Sequence, residues 1–233
     1  MRIAIISDVH GNLEALTEAI SIINRSNIDR IVCLGDIVGY GANPNECIEI
    51  IQRHCPETVL GNHDAAALDL SITRYFNEYA REAAEWTHDV LTQKSREYLE
   101  SLPLIINDHE LTFVHASPRR PGEWDYIFSN LEARLNFPFF TTPICFIGHS
   151  HVPQIFSEHL SDGPLSRDDR YIINVGSIGQ PRDGNPDLSF GIFDTKEWAY
   201  EHIRAPYNID AAAKKIIQAG LPYVLAERLY EGT

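Results

Sequence analysis

The stretch Arg2-Ile3-Ala4-Ile5-Ile6-Ser7-Asp8-Val9-His10-Gly11-Asn12 decides the fold. Its run of apolar, mostly β-branched residues predicts a buried strand over residues 2–7. Asn12 is suited to cap a helix that continues to about Arg25. The apolar residues of that helix recur at helical spacing: Leu13, Leu16, Ala19, Ile20 and Ile23. A buried strand that ends in a polar turn and leads into a helix is the opening unit of an α/β sheet.

The same unit recurs directly afterwards. Residues 31–34 predict a second buried strand that ends at Gly35-Asp36, and Pro44 opens another helix. Residues 58–60 predict a third, short strand that ends at Gly61-Asn62. This alternation of strands and helices predicts parallel strands with helical crossovers.

Residues 64–102 have a different composition. They contain no glycine or proline and are rich in Ala, Glu, Leu and Tyr, which predicts two or three helices. We interpret them as a helical insertion within a single domain that spans residues 1–233. Two roles remain open, a plain structural insertion and a cap that shapes a substrate pocket. In the second case Tyr75, Phe76 and Tyr79 are expected to line the pocket.

The second half of the chain is rich in short strand-like runs. They fall at residues 104–106, 111–115, 144–147, 155–157, 171–175, 190–193 and 198–203. Turn-forming stretches separate several of them, among them 107–108, 161–164 and 183–186. We expect these runs to form a second, mixed or antiparallel sheet. The predicted fold class is α/β, a four-layer α-β-β-α sandwich of two facing mixed sheets with helices outside.

Five predicted strands end in clusters of residue types that ligate metals. The clustered residues are Asp8, His10, Asp36, Asn62, His63, His115, His149 and His151. Each cluster alone is more often an ordinary turn, but ligands bind at the carboxyl ends of strands in α/β sheets. Carboxylate, amide and imidazole donors without a thiolate suit divalent Mn, Fe, Zn, Ni or Co. Even seven of these eight groups exceed what one tetrahedral ion takes and suit two ions.

Composition excludes several partner classes. With 19 Lys+Arg and 33 Asp+Glu, the formal net charge is −14. We therefore expect no binding to long nucleic acids or to anionic membranes, both of which require clustered basic residues. No apolar stretch reaches the roughly 18–20 residues of a membrane helix, and the apolar run at the start is too short for a signal peptide. The four cysteines form no C-x-x-C pair, which favours buried free thiols and a cytoplasmic location.

The chain resembles the calcineurin-like metallophosphoesterases over residues 8–184. Five segments carry the resemblance: Asp8-Val9-His10-Gly11-Asn12, Gly35-Asp36-Ile37-Val38-Gly39, Gly61-Asn62-His63-Asp64, Val114-His115-Ala116-Ser117-Pro118 and Gly148-His149-Ser150-His151. The stretch from Asn174 to Arg182 is similar to the tail motif of the small bacterial and archaeal phosphodiesterase branch. The resemblance implies a phosphoesterase that uses two divalent metal ions, manganese above all.

The resemblance also implies the role of each site residue. The first metal would be held by Asp8, His10, Asp36 and His151, and Asp36 would bridge to the second. The second metal would be completed by Asn62, His115 and His149. His63 would contact the scissile phosphate and protonate the leaving oxygen, while a hydroxide held by both ions attacks phosphorus. Asn12 and Asn62 are further candidates for substrate contact.

One feature departs from related branches. Where the protein Ser/Thr phosphatases and the symmetrical dinucleoside tetraphosphatases usually carry a phosphate-gripping arginine, this chain has Gly39-Tyr40-Gly41. Arg119, Arg120 or Arg182 is expected to supply the missing cation, with Arg182 preferred; the alternative is a surface Arg182 paired with Asp183. Tyr40 is expected to pack on the loop or to stack on a base. We expect the three tryptophans, Trp86, Trp124 and Trp198, in the core or at an interface.

The predicted function is hydrolysis of a small phosphate ester, either a phosphodiester, a phosphomonoester or a dinucleoside polyphosphate. One alternative is a non-catalytic scaffold or protein-interaction module with the same fold. The full set of ligands together with His63 speaks against it. The other alternative is a nuclease of the same superfamily, which the acidic charge disfavours.

Overall fold

The computed structural model describes residues 1–160 and 163–233, which form two five-stranded sheets. The first sheet has the order β10-β9-β1-β2-β3, with β1 at Arg2–Ile6, β2 at Arg30–Cys33, β3 at Glu57–Thr58, β9 at Leu188–Asp194 and β10 at Ala199–Ala205. The second has the order β4-β5-β6-β8-β7, with β4 at Ile105–Asp108, β5 at Leu111–Val114, β6 at Ile144–Ile147, β7 at Gln154–Ser157 and β8 at Tyr171–Asn174. Both sheets mix parallel and antiparallel pairs. Ser161 and Asp162 of the predicted turn at 161–164 lie outside the described residues.

The alternation of side chains along β1 explains the layers. Ile3 and Ile5 join the core between the sheets, where they meet Phe113 and Phe146 of the second sheet. Ala4 and the other outward residues of β1 pack instead on helices. Because strand side chains alternate between faces, a fully apolar strand is the expected pattern for a sheet covered on both sides. The predicted α-β-β-α sandwich is confirmed.

The helices cover the outer faces of the sheets and one end of the molecule. Helices α1 (Leu13–Asn24), α2 (Pro44–His54) and α5 (Gln93–Glu100) pack on the first sheet, and α6 (Asn130–Asn136) packs on the second. The insertion also contains α3 (Asn62–Leu68), a 3-10 helix at Leu70–Tyr75 and α4 (Glu78–Val90). Helices α7 (Ile209–Gln218) and α8 (Tyr223–Glu231) pack against α4. Among the described residues, no helix is both long and apolar enough to cross a bilayer.

Two features of this architecture differ from the sequence predictions. Strands β9 and β10 belong to the first sheet, where β9 pairs antiparallel with β1, and not to the second. An apolar pattern identifies a buried strand but not the strand with which it pairs, so this long-range pairing could not be predicted from the sequence. Helix α6 was not predicted, because its seven residues, about two turns, bury only Ala133 and Asn136 and leave Leu131 and Leu135 exposed.

All four cysteines are free and buried, as predicted. Cys33 and Cys47 pack between the first sheet and its helices, and Cys145 lies on the outer face of the second sheet. Burial raises the pKa of each thiol, which keeps it protonated and unreactive. These residues therefore act as small apolar side chains.

Candidate metal centre

The parallel strands of both sheets deliver their carboxyl ends to one place. Asp8 and His10 follow β1, and Asp36 follows β2. His115 follows β5, and the loop after β6 supplies His149 and His151. All of these side chains are at most 6% exposed. Two groups of potential ligands result, in each of which the ligating atoms lie within 4.8 Å of one another: Asp8, His10 and His151, and Asp36, His115 and His149.

Hydrogen bonds fix the ring orientation in the first group. His10 Nδ1 lies 3.1 Å from the Val38 carbonyl oxygen, and His151 Nδ1 hydrogen-bonds the Gln180 carbonyl oxygen. Because a carbonyl only accepts, each Nδ1 carries the proton and each Nε2 presents a lone pair. The two Nε2 atoms are 3.1 Å apart, and the His151 Nε2 is 3.2 Å from Asp8 Oδ1. Facing acceptors at this distance fit a cation between them.

The second group gathers imidazole, amide and carboxylate side chains around one point. His115 Nδ1 donates to the Leu34 carbonyl oxygen at 2.8 Å, and its Nε2 lies 3.0 Å from Asn62 Oδ1 and 3.3 Å from Asp36 Oδ2. Burial opposes protonation of His115, but the charge and hydrogen bond of Asp36 outweigh it and raise its pKa to about 9. His149 Nε2 is buried without a hydrogen-bond partner in the part of the chain that the structure describes. Asp36, Asn62, His115 and His149 together fit a divalent cation, which would satisfy all four side chains at once.

Asp36 lies between the two groups. Its Oδ2 is 3.7 Å from His10 Nε2 in the first group and 3.3 Å from His115 Nε2 in the second. Its Oδ1 accepts the backbone N–H of His63 at 2.8 Å, which fixes the carboxylate plane. Burial alone would raise the pKa of Asp36, yet the surrounding histidines hold it well below its usual range. A permanently ionised carboxylate in this position is placed to bridge two cations.

The ligand loops are held in unusual backbone conformations. Asp8, Asp36, His10, His149 and His151 all have φ between 49° and 65°, the left-handed region that non-glycine residues rarely adopt. Each such residue costs on the order of 1–3 kcal/mol and persists only where the surroundings impose it. Backbone hydrogen bonds impose it here, since the Asp8 and His10 N–H groups donate to the carbonyls of Gly35 and Asp36. Five strained ligands in one site indicate a built, functional centre.

Close backbone approach explains two glycines of the site. A Cβ at Gly61 would collide with the Asp36 carboxylate, and a Cβ at Gly148 would collide with Asp8 and Ser7. The N–H of His149, next to Gly148, donates to both Asp8 oxygens at 3.2 and 3.0 Å. The glycines therefore let the loop backbone come close enough to orient each carboxylate.

Asp64 is a site residue to which the sequence analysis gave no role. Its two oxygens accept the backbone N–H groups of Val38 and Gly61, each at 3.1 Å. One carboxylate thereby holds the loop that carries Asp36 against the loop that carries Asn62. Burial and the nearby charge of Asp36 raise the pKa of Asp64 to about 7.

His63 belongs to neither ligand group. Its ring lies 5.0 Å from the His10 ring, 4.5 Å from the Tyr40 ring and 4.7 Å from the Phe76 ring, measured between centroids. Its Nδ1 is buried, with no hydrogen-bond partner among the described residues. Burial lowers the pKa of His63 to about 4, against the opposing charge of Asp36. An unpartnered imidazole beside the ligand groups is positioned to meet a substrate.

A cavity of about 850 Å³ opens above these residues. Asn62, His63 and His149 form its floor, one wall comes from residues 71–77 of the insertion, and another from residues 122–126. Tyr75 and Phe76 line the cavity as the cap alternative requires, whereas Tyr79 does not. Trp124 was expected in the core or at an interface and instead lines the cavity, while Trp198 lies between the sheets. Loop residues such as Trp124 carry no periodic signal, so their position was not predictable.

Two of the predicted substrate-binding residues, Arg182 and Asn12, have different surroundings. Arg182 donates from Nη2 to Gln180 Oε1 at 2.9 Å and to the Tyr40 hydroxyl at 3.3 Å, and its guanidinium lies over the Tyr40 ring. Asp183 pairs with Arg204 instead, so Arg182 has no carboxylate partner within the described residues. Asn12 caps α1 and its Nδ2 donates to the Gly179 carbonyl and the Tyr207 hydroxyl, a geometry that favours a structural role over substrate contact.

The other two arginine candidates lie elsewhere. Arg120 is exposed and pairs with Glu123 and Asp125, and Arg119 lies over the Phe139 ring. Tyr40 is buried, contacts both His10 and His63, and also lines the cavity. Its ring contacts fit the packing alternative, and its place at the cavity is compatible with the stacking alternative.

An α/β sandwich with two buried His/Asp ligand groups beside a deep cavity is the framework of a metal-dependent hydrolase. The family model of the calcineurin-like phosphoesterase superfamily domain matches residues 1–198. The chain belongs to this superfamily, and its membership assigns it to the phosphoesterases.

Two relatives share 43% of their residues with this chain. One is an uncharacterized protein of Methanocaldococcus jannaschii, aligned over 240 residues that cover 99% of this chain and 98% of the relative. The other is a metallophosphoesterase from Sphaerobacter thermophilus, whose crystal structure matches with a TM-score of 0.89 over 100% of both chains. A hypothetical protein from Pyrococcus horikoshii, 20% identical, has the same fold with a TM-score of 0.84, over 100% of this chain and 98% of that one.

Proposed function

We propose that this protein is a dinuclear metal-dependent phosphoesterase that hydrolyses a small phosphodiester, phosphomonoester or dinucleoside polyphosphate. The observation that carries the proposal is the position of Asp36. Its carboxylate faces His10 of one ligand group and His115 of the other within 3.7 Å. Two cations bound about 3.5–4 Å apart form the arrangement that clamps a phosphate in other two-metal hydrolases.

The ligands are assigned by group. The first cation would be held by Asp8, His10, Asp36 and His151, and the second by Asp36, Asn62, His115 and His149. Imidazole with carboxylate and amide oxygen suits Mn best in this proposal, and Fe, Zn, Ni or Co also accept such donors. When bound, the two cations supply positive charge to the phosphate oxygens and acidify the attacking water.

His63 is proposed to act on the leaving oxygen. Its backbone N–H is bonded to Asp36, so the ring stands at a fixed position beside the bridging carboxylate. Its Nδ1 is buried beside Gly39 without a partner in the described protein, and the residue lines the cavity. A negatively charged phosphate bound next to the ring would raise its pKa and let it hold the proton that the leaving oxygen takes.

Arg182 is proposed to grip a free oxygen of the phosphate. Its charge is uncompensated by any carboxylate of the described residues, and Tyr40 and Gln180 hold the guanidinium in place. Planar guanidinium donors match phosphate oxygens in geometry. The cation that is missing at Gly39-Tyr40-Gly41 would thus come from the loop between β8 and β9.

The chain is proposed to act in the cytoplasm on a small substrate. Its four unpaired thiols are typical of a reducing compartment, and its net charge of −14 disfavours a nuclease that acts on long nucleic acids.

Metal analysis combined with an ester panel tests the proposal. The protein, loaded with Mn²⁺, is assayed against an aryl phosphomonoester, an aryl phosphodiester, cyclic nucleotides and a dinucleoside tetraphosphate. We expect two ions per chain and turnover of at least one ester, and Asp36→Asn should lower metal content and turnover together. Asp89→Asn, an exposed carboxyl far from the ligand groups in sequence, is the matched control. Binding of a single ion by the fully loaded protein would contradict the dinuclear assignment, and absence of turnover would contradict the enzyme.

A further inference from the structure

The cavity above the ligand groups is built for more than a phosphate. Its volume of about 850 Å³ lies in the range of about 300–1,000 Å³ that small-molecule sites occupy. A phosphate group needs only the floor, where Asn62, His63 and His149 lie. The remaining space must therefore receive the group that is esterified to the phosphate.

The walls of this space are aromatic on both contributing segments. Tyr75 and Phe76 come from the insertion, and Trp124 and Tyr126 come from the loop after β5. The Tyr126 ring stacks on the His149 ring at 4.0 Å between centroids and an angle of 23°. Phe76 in turn lies 4.7 Å from the His63 ring. Aromatic surface thus extends continuously from the floor of the cavity to its walls.

Much of this aromatic surface is open to solvent. Tyr75 is 77% exposed, Tyr126 is 46% exposed, and Phe128, which stacks on Tyr126 at 5.1 Å, is 52% exposed. Apolar surface gathered at a cavity marks a binding site more often than scattered exposed residues do. Trp124 is also held at a φ of 52°, and its indole N–H finds no hydrogen-bond acceptor among the described residues.

One cation lies at the rim of the cavity without an ion-pair partner. Arg74 lies over the Tyr75 ring at 4.6 Å and has no ion-pair partner in the described part of the chain. Glu123, the one acidic residue that lines the cavity within the described residues, is paired with Arg120. Arg74 therefore leaves one positive charge without an ion-pair partner at the rim, although the protein carries a net charge of −14.

We propose that the substrate carries a planar aromatic ring, of the nucleobase type, which stacks on Tyr75 and Trp124, with Tyr126 against its edge, while its phosphate lies on the cavity floor. This inference rests on the proposed phosphoesterase function and adds the class of the esterified group. Base–aromatic stacking tolerates different rings, because every base presents a π-face. The three residues would then determine specificity without touching the reacting atoms.

Binding of matched probes to the Mn²⁺-loaded protein tests the inference without requiring turnover. The first pair is the non-hydrolysable phosphonate analogues of adenosine 5′-monophosphate and of ribose 5-phosphate, which differ only in the base. Calorimetry should give the base-bearing probe about 5- to 150-fold higher affinity, the equivalent of one stacked base. Tyr75→Leu and Trp124→Leu should each bring this ratio closer to one, because each removes one stacking face.

Controls separate the subsite from its alternatives. Tyr223→Leu removes an equally exposed tyrosine that lies outside this cavity and should leave the ratio unchanged. A second pair, phenylphosphonate and methylphosphonate, shows whether any flat ring suffices or a nucleobase is required. A gain in either pair supports the inference, and equal affinities within both pairs overturn it. If no ester is hydrolysed but the ratio holds, the proposed function fails while the aromatic subsite stands.

Discussion

Removal of the Asp64 carboxylate should loosen both the fold and the metal centre. Asp64 accepts the backbone N–H groups of Val38 and Gly61 at 3.1 Å, and all three groups are shielded from water. A buried donor left without an acceptor costs about 1–3 kcal/mol. Asp64→Ala orphans two donors, so we expect a loss of about 2–6 kcal/mol in the free energy of unfolding. Asp64→Asn keeps one acceptor oxygen and should lose about half as much.

Urea denaturation of the metal-free variants measures the first effect, and metal titration of the folded variants measures the second. Because Asp64 holds the loop of Asp36 against that of Asn62, its loss should weaken metal binding about 10–100-fold, as is usual for groups that orient ligands. If Asp64→Ala does not fold, Asp64→Asn still gives both readouts. Asp89→Asn serves as the exposed control. If both Asp64 variants kept the wild-type free energy of unfolding and the wild-type metal affinity, Asp64 would not hold the two loops together.

Three further predictions concern His63, acid and metal removal. His63→Ala should lower kcat about 10²–10⁴-fold at unchanged metal content, with exposed His109→Ala as control; unchanged kcat would exclude proton transfer by His63. In the folded, metal-free protein the pKa of His63 is about 4 and that of His149 is about 3, both below the usual 6.5. As pH falls from about 6.5 to 4, the unfolded chain therefore binds more protons than the folded protein does. Stability should therefore fall through this window by about 1.4 kcal/mol per pH unit for each such group. The five histidines with lowered pKa values outnumber Asp64, whose raised pKa acts oppositely. Urea titrations between pH 7 and 4 check this, and a flat profile would contradict it. Chelation should lower Tm, and re-addition of Mn²⁺ should restore the lost stability by RT ln(1 + [L]/Kd), where [L] is the free metal concentration and Kd its dissociation constant. A Tm that is insensitive to metal would show that the ligand groups are empty in solution.

The sequence predicted the site better than the walls around it. Asp8, Asp36 and His115 could be placed because each closes an apolar strand, and strand ends of a parallel sheet meet at one edge. The role of Asp64 was hidden, since its partners are backbone N–H groups of two separate loops. The cavity position of Trp124 could not be predicted either, because it depends on the conformation of an irregular loop.

The sheet partner of β9 was the largest error of topology. Its residues, Leu188–Asp194, are almost all buried, so the pattern showed that the strand is covered on both faces. The free edge of β1 lies more than 180 residues earlier in the chain, and nothing local distinguishes it from an edge of the second sheet. This pairing matters for the site, because β9 lies beside β1, the central strand of the sheet, and Asp8 and His10 directly follow β1.

The distribution of ligands over the two sheets connects the fold to the proposed chemistry. Asp8 and His10 of the first group come from the first sheet, and His151 comes from the second. In the second group Asp36 comes from the first sheet, and His115 and His149 come from the second. Each cation would therefore join the two sheets, so the packing between them sets the distance between the ligands. A core of large side chains such as Phe113 and Phe146 between the sheets resists compression, and this rigidity can hold strained ligand loops in place before any metal or substrate arrives.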